Sequence, residues 1–105
     1  MSDFVVVTGA DELSDPGKMV VEIDDRFVIL CKVAGEFYCI DDVCTHDGGT
    51  FGEGELCEHA ISCPRHGAKF DIRKGQALTM PATEPTVAHK VKVVDGQVFV
   101  MLVDQ

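Results

Sequence analysis

Residues 43–71, VCTHDGGTFGEGELCEHAISCPRHGAKFD, contain three of the chain's five cysteines and three of its four histidines. Two mixed pairs stand at the ends of this stretch, Cys44-x-His46 and Cys63-x-x-His66. A thiolate and an imidazole are ligands for soft or borderline metals. The glycines that follow each pair let the backbone approach a bound group closely. Two such loops indicate one shared metal centre held by these four side chains.

Two kinds of metal centre fit this ligand set. Zinc is held tetrahedrally by two cysteines and two histidines in many small domains. Zinc fingers, however, usually place the cysteines together and the histidines together. A Rieske [2Fe-2S] centre needs two thiolates on one iron and two imidazoles on the other. One cysteine and one histidine on each loop would span such a centre, so the mixed pairs favour it. A zinc-stabilised β domain without a redox role is the alternative.

The letters CTH and CPRHGAKFD within the stretch resemble the C-x-H…C-P-x-H signature of Rieske proteins. The similarity covers nearly the whole chain, from the β-rich first half through GEFYCIDDVCTH to a terminal hairpin. It implies an all-β fold with residues 1–105 as a single Rieske domain. This domain would be an antiparallel β-sandwich with a cluster-binding subdomain inserted at approximately residues 42–86.

The same resemblance implies the cofactor and its ligands. One Rieske-type [2Fe-2S] cluster is expected per chain. Cys44 and Cys63 would hold the inner iron, and His46 and His66 would hold the outer iron, near the surface. No catalytic residue is expected, because the resemblance is to an electron-transfer protein and not to an enzyme.

The function implied is that of the small Rieske ferredoxins of ring-hydroxylating dioxygenase systems. These carry single electrons from a flavin-containing NAD(P)H reductase to a terminal oxygenase. The terminal oxygenase needs a further domain with a mononuclear iron held by two histidines and a carboxylate, and no residues remain here to build one. The alternative is the small subunit of an assimilatory NAD(P)H nitrite reductase. Because all four ligands are present, we favour the ferredoxin, which we expect to be a monomer with transient partners.

Four residues beside the ligands predict the reduction potential. High-potential Rieske proteins have two further cysteines, which form a disulfide, at the positions of Gly49 and Arg65. They also have a serine and a tyrosine, whose hydroxyls bond to the cluster sulfurs, at the positions of Ala68 and Phe70. This chain has neither feature. Fewer donors to sulfur stabilise the reduced state less, so the sequence predicts a low-potential cluster.

The composition limits the partners. With 9 Lys and Arg against 18 Asp and Glu, the formal charge is −9. This argues against nucleic acid and against an anionic membrane surface, since both attract basic proteins. The first residues, MSDFVVVTGADEL, lack the features of a signal peptide, and no run of 18 apolar residues is present. We therefore expect a cytoplasmic protein with no membrane association.

Short β-branched runs separated by turn residues predict an antiparallel scaffold. The predicted strands are residues 4–7, 18–23, 26–33, 36–41, 88–94 and 97–103. Asp95-Gly96, between the last two, is the strongest hairpin signal. Residues 9–18 permit one helical turn before Pro16. Residues 44–86 are rich in glycine and poor in apolar runs, which is typical of a long functional loop.

The remaining cysteines and histidines are assigned to packing or to the surface. Cys57 and His59 are too few for a closed metal site, so we expect neither to bind metal. Cys31 and Cys39 lie in predicted strands and are expected in the core. His89 alternates with valine and is expected on the surface or at a sheet edge.

The acidic residues of the cluster-binding region have two interpretations. Asp47, Glu53, Glu55 and Glu58 are either solvated loop charges or a docking surface for a basic patch on a partner. The net charge of the chain favours docking only slightly.

Overall fold

The computed structural model describes residues 4–42, 51–52, 54–64, 67–78 and 86–103, and these contain nine strands. They are β1 (Val5–Gly9), β2 (Gly17–Ile23), β3 (Arg26–Val33), β4 (Glu36–Asp41), β5 (Leu56–Cys57), β6 (Ala60–Ser62), β7 (Lys69–Asp71), β8 (Ala88–Val94) and β9 (Gln97–Met101). Six strands form a large sheet in the order β1-β9-β8-β4-β3-β2, and β5-β6-β7 form a small sheet. All pairings are antiparallel. The all-β fold class is confirmed.

Three two-residue turns set the register of the large sheet. Asp24-Asp25, Ala34-Gly35 and Asp95-Gly96 all have positive φ at both positions. These are the φ values of a type I′ turn, whose twist matches that of the flanking strands. The Asp15 carboxylate supports the second turn by accepting both of its N–H groups, at 2.9 and 2.7 Å. The Asp95-Gly96 hairpin is confirmed, since it pairs β8 with β9.

Two buried clusters lie on opposite faces of the large sheet, because side chains alternate along each strand. The inter-sheet cluster lies between the large and small sheets and comprises Ile29, Cys31, Val33, Ile40, Phe51, Ile61, Cys63, Ala68, Phe70 and Ile72. The second cluster is enclosed by the curved large sheet and comprises Leu13, Ile23, Val28, Leu30, Cys39, Val98, Val100 and Leu102. Cys31 and Cys39 are core residues, as predicted. Burial raises the pKa of the Cys31 thiol to about 12.

The small sheet is the main difference from the long loop predicted over residues 44–86. Its strands have two or three residues each, which is too short for an alternating pattern to be recognised. Even so, Ile61, Phe70 and Ile72 of this region are almost completely buried. The region therefore contributes core residues and not only a loop, and apolar packing fixes it against β3 and β4.

The helical turn expected in residues 9–18 is absent: both ends of this range belong to β1 and β2, and residues 10–16 form turns and bends. The Lys32 ammonium donates hydrogen bonds to the carbonyls of Ala10 and Leu13, at 3.1 and 3.5 Å. These carbonyls are therefore bonded to a side chain instead of to helical N–H groups. Nowhere in the described parts of the chain does a helix have the length and apolar character to cross a membrane.

The prediction that His89 lies on the surface is wrong. The His89 side chain is completely buried, and its Nδ1 accepts the N–H of Val103 at 2.9 Å. Nε2 therefore carries the proton and donates to Asp41 at 2.7 Å. Arg26 also bonds to Asp41, at 3.0 Å. Alternation with valine indicated a solvent-facing position, but a polar side chain with both nitrogens bonded can be buried at little cost.

We expect His89 to make the folded state less stable in mild acid. Burial lowers its pKa below the ordinary value of 6.5, although the hydrogen bond to Asp41 opposes this shift. The unfolded chain therefore binds a proton more readily than the folded chain. The contribution of the neutral, buried His89 to the free energy of unfolding is complete above about pH 6.5. It decreases below that pH by up to about 1.4 kcal/mol per pH unit. Urea unfolding at pH 7.5 and 5.5 measures this, and His89→Gln should weaken the dependence. The same loss of unfolding free energy between pH 7.5 and 5.5 in both proteins would contradict this role of His89.

Candidate metal centre

One of the four predicted ligands, Cys63, lies among the described residues. It follows β6, and its side chain is a free thiol that is completely buried in the inter-sheet cluster. Cys44, His46 and His66 lie outside the described residues. Within the described ranges, no three potential metal ligands come together. The complete ligand set therefore stays a prediction.

The backbone around Cys63 forms a closed loop between β6 and β7. The Cys63 N–H donates to the carbonyl of Ala68 at 2.7 Å, and the Gly67 N–H donates to the carbonyl of Cys63 at 2.8 Å. Gly67 has φ of 73°, a conformation that glycine adopts without strain. Because His66 lies within this loop in the sequence, the predicted Cys63 and His66 pair is carried by a loop with a fixed base.

The other predicted pair lies in the sequence between two described anchor points, Asp42 and Phe51. The buried Asp42 carboxylate accepts the N–H of Phe51 at 2.7 Å, and the Asp42 N–H donates to the carbonyl of Phe27 at 3.0 Å. Burial raises the pKa of the Asp42 carboxyl, while the hydrogen bond from Phe51 and the positive charge of Lys18 oppose the rise. The two ends of residues 42–51 are therefore bonded to each other.

The two closed segments meet in the inter-sheet cluster. The rings of Phe51 and Phe70 are in edge-to-face contact, with centroids 5.1 Å apart. Both rings are completely buried and belong to the same cluster as Cys63. A buried thiol thus lies beside the base of a second closed segment that carries Cys44 and His46 in its sequence. This arrangement fits a centre that takes one thiolate and one imidazole from each of two loops.

Ala68 and Phe70, which the sequence analysis uses to predict the potential, are both completely buried. Their methyl and phenyl groups face the apolar interior and supply no hydroxyl to a bound group. Gly49 and Arg65, the other two residues of that prediction, lie outside the described residues. The described part of the second loop therefore surrounds Cys63 with apolar side chains.

Cys57 ends β5, and His59 lies in the two-residue turn between β5 and β6. Cys57 is exposed, and the His59 ring packs edge-on against Tyr38 with centroids 5.6 Å apart. The His59 carbonyl accepts the N–H of Ile72 at 2.9 Å. These contacts suit a hairpin beside the large sheet, and the absence of metal binding at this pair stays a prediction. Glu58, in the same turn, is exposed.

Lys18 and Asp42, which hold the base of the first loop, are functional residues that the sequence motifs do not indicate. Lys18 donates to the carbonyl of Gly52 at 2.6 Å across 34 residues of sequence, a separation that leaves no local signal. Asp42 has a weak signal, since it is a second consecutive acidic residue placed directly after a strand and shortly before Cys44.

Comparison with known proteins gives a consistent result at the level of families. Residues 3–101 match the family model of the Rieske [2Fe-2S] domain. The chain is 37% identical to the 3-phenylpropionate/cinnamic acid dioxygenase ferredoxin subunit of Photorhabdus laumondii, over all of this chain and 99% of that one. It is 40% identical to the protein of the same name from Escherichia coli K12, over 83% of this chain and 84% of that one.

Solved structures show the same similarity. The ferredoxin of carbazole 1,9a-dioxygenase from Nocardioides aromaticivorans superposes with a TM-score of 0.91 at 26% identity, covering 94% of this chain and 97% of that chain. A chain in the complex of reduced oxygenase and oxidised ferredoxin of carbazole 1,9a-dioxygenase gives a TM-score of 0.88 at 28% identity. That match covers 92% of this chain and 91% of the other.

Proposed function

We propose, because the chain belongs to the Rieske [2Fe-2S] domain family, that it carries single electrons from a flavin-containing NAD(P)H reductase to the terminal oxygenase of a ring-hydroxylating dioxygenase. The observation that carries this proposal is the end-to-end match to a ferredoxin subunit, over 100% of this chain and 99% of the relative. The match favours the ferredoxin over both the nitrite reductase subunit and the zinc-stabilised domain.

The ligands that we propose for the Rieske-type [2Fe-2S] cluster are the four predicted from the sequence. Cys44 and Cys63 would hold one iron, and His46 and His66 the other. When bound, the cluster supplies reversible one-electron oxidation and reduction. We also propose that approximately residues 42–86 form the cluster-binding subdomain, which contains the small sheet and both closed segments.

The described residues contribute an apolar and closed environment to this site. Phe51, Ala68 and Phe70 are completely buried around Cys63, so they exclude water from the thiolate side of the site. Hydrogen bonding to sulfur and solvent exposure are two of the factors that set the potential of such centres. The side chains at positions 68 and 70 offer no hydroxyl for such bonds.

We expect a reduction potential near the low end of the Rieske range, closer to about −150 mV than to +300 mV. Ala68 and Phe70 donate no hydrogen bond to sulfur, and the formal charge of −9 disfavours an added electron. Protein-film voltammetry at neutral pH measures the potential directly. A value above about +150 mV would show that other donors stabilise the reduced cluster.

The surface that we propose for partner docking is defined by its acidic residues. Both Glu55 and Glu58 are exposed, while Asp47 and Glu53 lie outside the described residues. We propose that this acidic edge of the subdomain meets a basic patch on the oxygenase or the reductase, which would speed encounter at low salt. A monomer in the cytoplasm with transient contacts would suit a shuttle between two partners.

The test of function has two stages. The purified protein should be brown in its oxidised state and should give a rhombic EPR signal after reduction with dithionite, and each chain should hold two irons. It should then restore product formation by the E. coli 3-phenylpropionate/cinnamic acid dioxygenase from which its own ferredoxin subunit has been omitted. A colourless, EPR-silent protein that holds zinc would refute the cluster. A protein with the cluster that supports a sirohaem nitrite reductase and not the dioxygenase would refute the partner.

A further inference from the structure

The backbone of two consecutive residues, Phe51 and Gly52, is bonded to charged side chains. The Gly52 carbonyl accepts a hydrogen bond from the Lys18 ammonium at 2.6 Å. The N–H of the preceding residue, Phe51, donates to the Asp42 carboxylate at 2.7 Å. Lys18 belongs to β2, whereas Asp42 follows β4, so side chains from two separate strands of the large sheet hold two consecutive residues.

Gly52 and Gly54 approach strands of both sheets closely. A Cβ on Gly52 would lie 3.3 Å from Cγ2 of Val20 in β2, and a Cβ on Gly54 would collide with the carbonyl oxygen of Ser62 in β6. The Gly54 N–H donates to the carbonyl of Phe51 at 2.8 Å. Gly52 and Gly54 therefore lie between β2 of the large sheet and β6 of the small sheet.

We propose that Lys18 and Asp42 form a clamp on the backbone of Phe51 and Gly52 that fixes the C-terminal end of the cluster-binding loop, residues 43–50. This inference rests on the proposed function, because that loop carries two of the proposed ligands, Cys44 and His46. The Asp42 carboxylate accepts the N–H of Phe51, directly after the loop. The Lys18 ammonium donates to the carbonyl of the next residue, Gly52. Both are positioning residues, since they act through the backbone of Gly52 and Phe51.

The hydrogen bonds from Lys18 to Gly52 and from Phe51 to Asp42 each involve a charged side chain. Hydrogen bonds to an ionised partner are about twice as strong as neutral ones. Asp42 is only 4% exposed, so solvent competes little for its oxygens. Lys18 is half-buried and supplies the positive charge beside this carboxylate. Removing the charge of either residue leaves the other without its counter-charge in a poorly solvated place, and the end of the loop is then held less firmly.

The same chain offers a matched pair of controls at a distance from the proposed centre. Lys32 also bridges backbone carbonyls, those of Ala10 and Leu13. Asp15 also accepts two consecutive backbone N–H groups, those of Ala34 and Gly35. Both controls hold the turn-rich segment between β1 and β2, so their loss costs comparable hydrogen bonds without touching the loop at residues 43–50.

The experiment compares Lys18→Met and Asp42→Asn with Lys32→Met and Asp15→Asn, all purified with the cluster bound. Iron release to an excess of chelator is followed by loss of visible absorbance, together with the EPR spectrum and the thermal midpoint. We expect Lys18→Met and Asp42→Asn to release iron at least about tenfold faster than the parent and to shift or broaden the EPR signal. The controls should stay within about twofold and keep the parent spectrum. Lys18→Arg, which keeps the donor and the charge, should restore slow release.

Each outcome decides between the alternatives. If Lys18→Met releases iron no faster than Lys32→Met and keeps the parent spectrum, the clamp is refuted while the proposed function stands. A parent protein that holds no [2Fe-2S] cluster would instead refute the proposed function. If Asp42→Asn does not fold, Lys18→Met carries the test alone, because Lys18 is in an edge strand of the large sheet and only half-buried.

Discussion

Replacing Cys63 with alanine is expected to abolish cluster binding while the chain still folds. The Cys63 side chain is completely buried at the base of the loop between β6 and β7. The two hydrogen bonds that close this loop, to Ala68 and from Gly67, use only the backbone of Cys63. Alanine therefore keeps the loop and removes the thiolate. A Rieske centre with one thiolate missing has an incomplete inner iron site, so iron content should fall from two per chain to near zero.

The matched control is Cys57→Ala, which removes an exposed thiol from β5, the strand next to β6. It should keep two irons per chain and the parent absorption spectrum. The pair of variants separates a ligand from a thiol that merely lies in the same stretch of sequence. Full iron content in Cys63→Ala, or loss of iron in Cys57→Ala, would require a different ligand set. Circular dichroism of both variants shows whether the β-fold is retained.

The large sheet was predictable because its signals are local. The predicted bounds of β3, β4 and β8 coincide with those of the structure, since each strand is a run of six or more residues that borders a two-residue turn. The small sheet depends instead on bonds between separate segments. The Ile72 N–H bonds to the carbonyl of His59, and the Leu78 N–H bonds to the carbonyl of Lys69, at 2.9 and 2.7 Å. No spacing rule within one segment indicates such pairs.

The site shows the same division between local and distant information. The four proposed ligands were predicted from spacing, because each cysteine lies close to a histidine in the sequence. The residues that hold the loop bases were not identified, because Lys18 and Gly52 are 34 residues apart. His89 shows the reverse error. Alternation with valine suggested exposure, whereas burial is made possible by two partners that are distant in the sequence, Asp41 at 48 residues and Val103 at 14 residues.

The largest expected loss of stability comes from replacing Phe70 with alanine. Phe70 in β7 is completely buried, is paired with Ile61 in β6 and forms an isolated bridge with Ala77. Its ring contacts Phe51 edge-on. Truncating a buried phenylalanine to alanine typically costs about 3–5 kcal/mol, which is a large part of the total of about 5–15 kcal/mol for a small domain. The cavity would open where the two closed segments meet, so we expect the [2Fe-2S] cluster to be released more readily as well.

Phe27→Ala is the matched control, because Phe27 is 55% exposed and its truncation should change stability by about 0.5 kcal/mol or less. Thermal unfolding followed by circular dichroism compares the two variants in the cluster-free protein, where loss of iron does not complicate the transition. Phe70→Ala should lower the midpoint by about 12 °C or more, and Phe70→Leu, which refills most of the volume, by much less. Equal midpoints for Phe70→Ala and Phe27→Ala would mean that the inter-sheet cluster does not anchor the small sheet. In that case hydrogen bonds alone would hold the two closed segments in place, and iron release from Phe70→Ala would match that of the parent protein.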